Sequence, residues 1–214
     1  WLKQDSLTAK LLGALLESSM RHSERIIVLD RFMRQRIVTK GISDDKIDVL
    51  APWAHDDAVR FDREGREAFR HAHNLAGKFV VMYAGNHSPC HPLDTVLRAA
   101  QELEAHYDIT FVFSGGGSEQ GKAREFARGH HLENVLCLPY QPIDELSALL
   151  SAADLHVVVM GEQFAGIVHP CKIYNLLAIG APFLYIGPAE GPLGDIIARL
   201  GDQSGAFHAE HGDD

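Results

Sequence analysis

The sequence predicts an α/β protein built on a doubly wound parallel sheet. Short apolar runs rich in Val, Ile and Phe alternate with helical periods. Glycine- or proline-bearing turns separate them, and their spacing of about 25 residues suits parallel crossovers rather than hairpins. The clearest unit is residues 155–188. LHVVVM at 155–160 reads as a buried strand, and a Gly-, His- and Pro-rich loop follows. A helical period begins at Lys172, with Ile173, Leu176, Leu177 and Gly180 on one side. Gly180 and Pro182 end it, and a second apolar strand follows at once.

In chain order, residues 6–20 predict an amphipathic helix with Leu7, Leu11, Leu12, Leu15 and Leu16 on one side. Residues 26–30 (IIVLD) predict a strand, 31–41 a helix closed by Gly41, and 46–52 a strand stopped by Pro52. This αβαβ run is too short to close a sheet of its own. Residues 53–75 are charged and lose the pattern, with a helical patch near Glu67–His73, and read as an interdomain linker. A new series then begins. Strands are expected at 79–86, 109–117, 135–140, 155–160, after Pro182, and at 204–209. Helices are expected at 92–103 with Pro92 near its start, at 118–131 capped by Ser118, at 142–153 opened by Pro142, and at 192–201.

Totals exclude several classes. The chain has 214 residues, net charge −9 and no basic run, which argues against nucleic acid. No apolar run reaches the roughly 20 residues of a membrane span. Three cysteines are too few for a disulfide framework and fit a reducing cytoplasm. The first residue is Trp1 rather than Met, and the expectation is a fragment of a longer protein.

Ligands of parallel sheets gather at the carboxyl ends of strands. The turn YAGNHSPCHP after residue 83 offers Gly85, Asn86 and His87 to a phosphate, or is an ordinary βα loop. FSGGGS around Gly116 is a weak dinucleotide fingerprint, because it follows the second strand of the series and its third glycine is misplaced. In HPCKIYN, His169 and Lys172 sit at a helix start, where a lysine opposes the helix dipole, so either an anionic ligand or a solvated surface lysine is expected there. Asn175, one turn on, is placed to meet a ribose hydroxyl. His87, Cys90, His91, His169 and Cys171 share one sheet edge but lack tight ligand pairs, so no metal is expected.

The order of these signals resembles the C-terminal half of the group 4 retaining glycosyltransferases of GT-B fold. MYAGN and FSGGGS end the first two strands, and NVLCLPY, SAADLHVVV and LLAIGAP follow. The resemblance implies residues 1–52 as the tail of an N-terminal acceptor domain, 53–75 as linker, and 76–214 as a nucleotide-sugar donor domain of Rossmann-like form. It implies a cytoplasmic enzyme of polysaccharide biosynthesis. That enzyme would move a hexose from a nucleotide diphosphate to a saccharide or lipid-linked acceptor, with peripheral membrane contact of the full-length protein. Neither metal nor other cofactor is implied. Expected donor contacts are Gly85, Asn86, His87, Gly116, Tyr140, His169, Lys172 and Asn175, and no catalytic residue is assigned.

Where the family carries two glutamates this chain has Ile167 and Asn175, with Glu162 a substitute only through a longer loop. Where the family carries Arg and Lys after the first strand it has Asn86 and His91. PCKIY instead matches a divergent branch with a lysine before the helix. The fragment alone is expected not to transfer sugar, since the acceptor half lies elsewhere. A non-catalytic nucleotide-binding or interaction module, or a nucleotide-sugar epimerase, are the alternatives.

Overall fold

A computed structural model describes residues 5–53, 59–201 and 205–213. Residues 54–58 of the expected linker and Ser204 of the last expected strand lie outside them. The chain divides into two compact units, Trp1–Pro52 and Trp53–Asp214.

The first unit holds helix α1 (Leu7–His22), strand β1 (Ile26–Val28), helix α2 (Arg31–Val38) and strand β2 (Ile47–Val49). Ser6 caps α1 and Asp30 caps α2, each side chain accepting an N–H three residues on. β1 and β2 pair in parallel as a two-stranded sheet, Ile26 opposite Ile47. Val28, Ile42 and Ile47 form its core, which α1 reaches through Met20. The leucine side expected of α1 is exposed along its length, Leu7 at 87% and Leu11 at 61%.

The second unit begins with helix α3 (Arg63–Ala72), so part of the stretch read as linker is an ordered helix. Then come β3 (Phe79–Asn86), α4 (Asp94–Glu102), β4 (Ile109–Gly116), α5 (Gln120–Gly129), β5 (Val135–Leu138), α6 (Leu146–Ser151), β6 (Leu155–Val159), α7 (Lys172–Ala178), β7 (Phe183–Ile186), α8 (Pro192–Leu200) and β8 (Ala206–Ala209). Six parallel strands lie in the order β5-β4-β3-β6-β7-β8. The order reverses between β3 and β6, which makes their carboxyl ends the switch point of the sheet. One face packs on α4 and α5 through Tyr83, Phe111 and Phe113. On the other face, Val158, Ile173 and Leu176 form one cluster and Met82, Val112 and Leu149 a second.

α5 differs from expectation at its start. It opens after Glu119 rather than at a Ser118 cap, and no side chain caps it. Gln120 instead donates to the carbonyls of Gly115 at 2.7 Å and Leu138 at 2.9 Å, pinning the ends of β4 and β5 together.

The aspartate of SAAD has a structural task. Asp154 accepts from the Val80 N–H at 2.7 Å, Arg66 at 2.5 Å and Arg70 at 3.0 Å. It thereby ties α3 to the starts of β3 and β6. Burial pushes its carboxyl up, but the Val80 N–H and the two guanidiniums outweigh burial and hold it below the usual range. Asp154→Ala leaves two partly buried guanidiniums and a backbone N–H without this acceptor, and should cost about 3 kcal/mol in urea denaturation. The wild-type contribution is present above the ordinary carboxylate pKa. It is lost as pH falls through the depressed one, so the gap between the two proteins should close in acid.

No described helix is long and apolar enough to cross a membrane.

Candidate functional site

The ends of β3 and β4 are neighbouring rungs of the sheet, with Gly85 opposite Gly115 and Asn86 opposite Gly116. Gly85, Gly115 and Gly117 all have positive φ. A Cβ at Gly115 would lie 1.9 Å from the Gly85 carbonyl oxygen, and one at Gly117 would lie 2.2 Å from that of His87. The glycines of FSGGGS therefore let two chain turns touch each other, which explains them without a dinucleotide.

Beside this contact lies a cavity of about 240 Å³ at the switch point. Ala84 and Gly85 from β3, Tyr140, Gln141 and Ile143 from the turn after β5, and Leu149 from α6 form much of its wall. Lys172, Asn175 and Leu176 of α7 complete it. Four expected residues thus meet here: Gly85, Tyr140, Lys172 and Asn175. Gly116 supports the site from behind, since the Tyr140 ring lies over it and the Tyr140 hydroxyl donates to its carbonyl at 3.3 Å.

Lys172 is the one cationic side chain among the described residues that line the cavity, apart from the imidazole of His156. Its Nζ is buried without a hydrogen-bond partner and lies 3.7 Å from the centroid of the Tyr83 ring. A Cβ at Gly85 would approach this amine to 3.2 Å, so the glycine also leaves room for it. Burial pulls Lys172 down to about 7. The His156 side chain contacts the Leu150 carbonyl through Nε2 at 2.8 Å, and burial takes it down to about 4. The imidazole is therefore neutral near pH 7.

Three expected contacts are placed differently. Asn86 is exposed, and its backbone carbonyl accepts from the Tyr83 hydroxyl at 2.7 Å. His87 is fully buried behind the wall, edge-on to Tyr83 with ring centroids 4.9 Å apart. Its pKa is lowered by burial first, against which the backbone of Gly85 and Gly116 acts. His169 turns onto Tyr174, 2.9 Å from its hydroxyl and with the rings stacked, and is not among the cavity's lining residues. His91, at the family's lysine position, is likewise buried, with Nδ1 2.7 Å from the Val159 carbonyl.

Glu162 does not reach this cavity. It lines a separate concavity with Asp94, Thr95, Arg98, Gln163 and His211. Among the described residues no three of His, Cys, Asp and Glu converge on a point that could hold a metal ion.

Sequence reasoning missed Tyr83, Gln141, Ile143 and Leu149. The exposed Ile143, following Tyr140 and Pro142, is the one trace of the apolar lip in the sequence. The pairing of Tyr83 with Lys172 left none, because the two lie far apart in the chain.

Residues 65–170 match the family model for glycosyl transferases group 1. The chain is 28% identical over 194 residues to the putative colanic acid biosynthesis glycosyl transferase WcaI of Escherichia coli (strain K12), covering 88% of this chain and 46% of the relative. Its fold matches that of Anabaena Alr3699/HepE in complex with UDP and glucose. The TM-score is 0.78 at 15% identity, over 95% of this chain and 54% of the other. WaaG, a glycosyltransferase involved in lipopolysaccharide biosynthesis, matches with TM-score 0.76 at 14% identity, over 100% of this chain and 57% of the other. The chain spans about half the length of these proteins.

Proposed function

We propose, for a chain that belongs to the group 1 glycosyl transferases over residues 65–170, that its cavity holds the nucleotide diphosphate of a sugar donor. The parent protein is then a retaining glycosyltransferase that passes a hexose-type sugar to a saccharide or lipid-linked acceptor. The observation that carries this reading is the buried, unpartnered amine of Lys172 at the switch point of the sheet. An amine so placed is completed by an anion, and phosphate oxygens supply one. The apolar lip of Tyr140, Ile143 and Leu149 suits a nucleoside, and Asn175 lies within the same wall to meet its ribose. Asn86 and His91, at the positions of the family's cation pair, do not serve in its place. One is a neutral amide and the other an imidazole buried against a carbonyl.

When the glycosidic bond breaks, the leaving diphosphate gains charge. An ammonium already facing it stabilises that charge more than it stabilises the ground state. No step in this reading needs a metal.

UDP, which occupies Anabaena HepE, is the first ligand to try. Lys172→Ala should weaken UDP binding by about 1.5–3 kcal/mol, the range for a hydrogen bond to a charged group. Uridine binding should change far less. Calorimetry with both ligands on both proteins checks this. Equal UDP affinities would remove Lys172 from the site.

One observation favours a second reading. Among the described residues that line the cavity there is no carboxylate, which suits a module that binds a nucleotide without turnover. Product analysis of the full-length protein with labelled donors separates transferase, epimerase and silent binder.

A further inference from the structure

Among the described residues, none supplies the amine of Lys172 with a counter-ion. Tyr83 on β3 faces it with a ring, and Gly85 faces it with backbone alone. His87 and His91, from the turn after β3, and His156 on β6 each feel its charge as a like charge. Tyr140 and Asn175 share its cavity, and among the described residues no carboxylate does. Glu162, the acid nearest in the chain, lines the separate concavity together with Asp94. An ammonium buried without a counter-ion or a hydrogen-bond acceptor gives up its proton.

We propose that this chain takes up one proton when a nucleotide sugar enters, the lone pair of Lys172 Nζ accepting it and the diphosphate oxygens becoming acceptors for the new ammonium. This rests on the donor-site reading above. The proton comes from the buffer, and no other bond is made or broken. The diphosphate of a nucleotide sugar is esterified at both ends, so it has no proton of its own to exchange near neutrality, and the count belongs to the protein.

The direction with pH follows. Burial alone brings the amine to about 7. Below that pH the amine is already charged, and affinity is flat with respect to it. Above it, each pH unit costs up to tenfold in affinity, until the bound ammonium itself begins to titrate nearer the ordinary lysine value of about 10.4. His87 and His91, both lowered chiefly by burial, and His156, taken to about 4, are neutral in this window.

The test is titration of UDP-glucose into the 214-residue protein at pH 8 in two buffers of different ionisation enthalpy. Uptake of about 0.9 proton per ligand is expected, with Kd rising about 50-fold between pH 7 and pH 9. In protein carrying 13C-labelled lysine, the Lys172 Cε resonance, assigned by its loss in Lys172→Ala, should move from the amine to the ammonium position on adding UDP-glucose at pH 8. Binding with equal heats in both buffers and a flat pH profile overturns the proposal and leaves the donor site standing. Failure of UDP-glucose and of a panel of other nucleotide sugars to bind anywhere from pH 6 to pH 9 overturns the donor-site reading, and the proposal with it.

Discussion

Lys172→Met is expected to make the protein more stable at pH 8 by about 2–4 kcal/mol while it weakens diphosphate binding. Burial pulls the lysine from an ordinary 10.5 down to about 7 in the folded chain. Between those values the unfolded chain holds a proton that the folded chain lacks. Unfolding is therefore favoured by proton binding, and stability rises with pH across this window. The lysine's penalty is full below about pH 7 and vanishes as pH approaches 10.5. Methionine fills a similar volume with no charge to desolvate. The advantage of the variant in urea denaturation should thus be large at pH 7, smaller at pH 8 and close to nothing at pH 10.5. A variant less stable than wild type at pH 7 would show that the Tyr83 ring already compensates the buried amine.

Gly115→Ala should have the opposite sign and a larger size. The new Cβ would sit 1.9 Å from the Gly85 carbonyl oxygen and 2.8 Å from its carbon, both backbone atoms on the adjoining strand. Neither can swing aside, and the φ of +139° is itself strained for alanine. Strain and overpacking together put the cost at about 3–5 kcal/mol. Gly77→Ala is the matched comparison. It also has positive φ, but nothing lies within 4 Å of the added atom, so the backbone term acts alone at about 1 kcal/mol. Thermal denaturation of the two variants should separate crowding from φ. Equal losses would mean that β3 and β4 part easily at their ends.

Much of the fold was legible because each element announces itself locally. The run FVVMYAGN is a strand from its first residue to its last, and the doubly wound order follows from short crossovers alone. Local signals misled where a distant neighbour decides. Ser118 looks like a cap, yet α5 begins after it, because Gln120 is held by the carbonyls of two strands. The leucines of α1 share one side as expected but stay exposed, since among the described residues of α1 it is Met20 that packs on the core of their unit. At the site, Lys172 was visible as a cation in an odd place. Its lack of a partner was not, because that depends on residues contributed by β3, α6 and β6. His87 and His169 were chosen as polar residues on the right loops, and loops do not reveal which way a ring turns. One ring packs behind Tyr83 and the other on Tyr174.

The support of Tyr140 by Gly116 bears on how this chain tolerates change over evolutionary time. A side chain at 116 would meet the Tyr140 ring at 2.8 Å, and nothing else lies as close. Unlike the backbone that blocks Gly115, a ring at the end of a side chain can be exchanged. Positions 116 and 140 therefore amount to one inherited choice rather than two. A lineage that shrinks residue 140 frees 116 to carry a side chain, and one that keeps the tyrosine holds 116 at glycine. Gly115 has no such partner to trade with, so two adjacent glycines in one short run should drift at different rates.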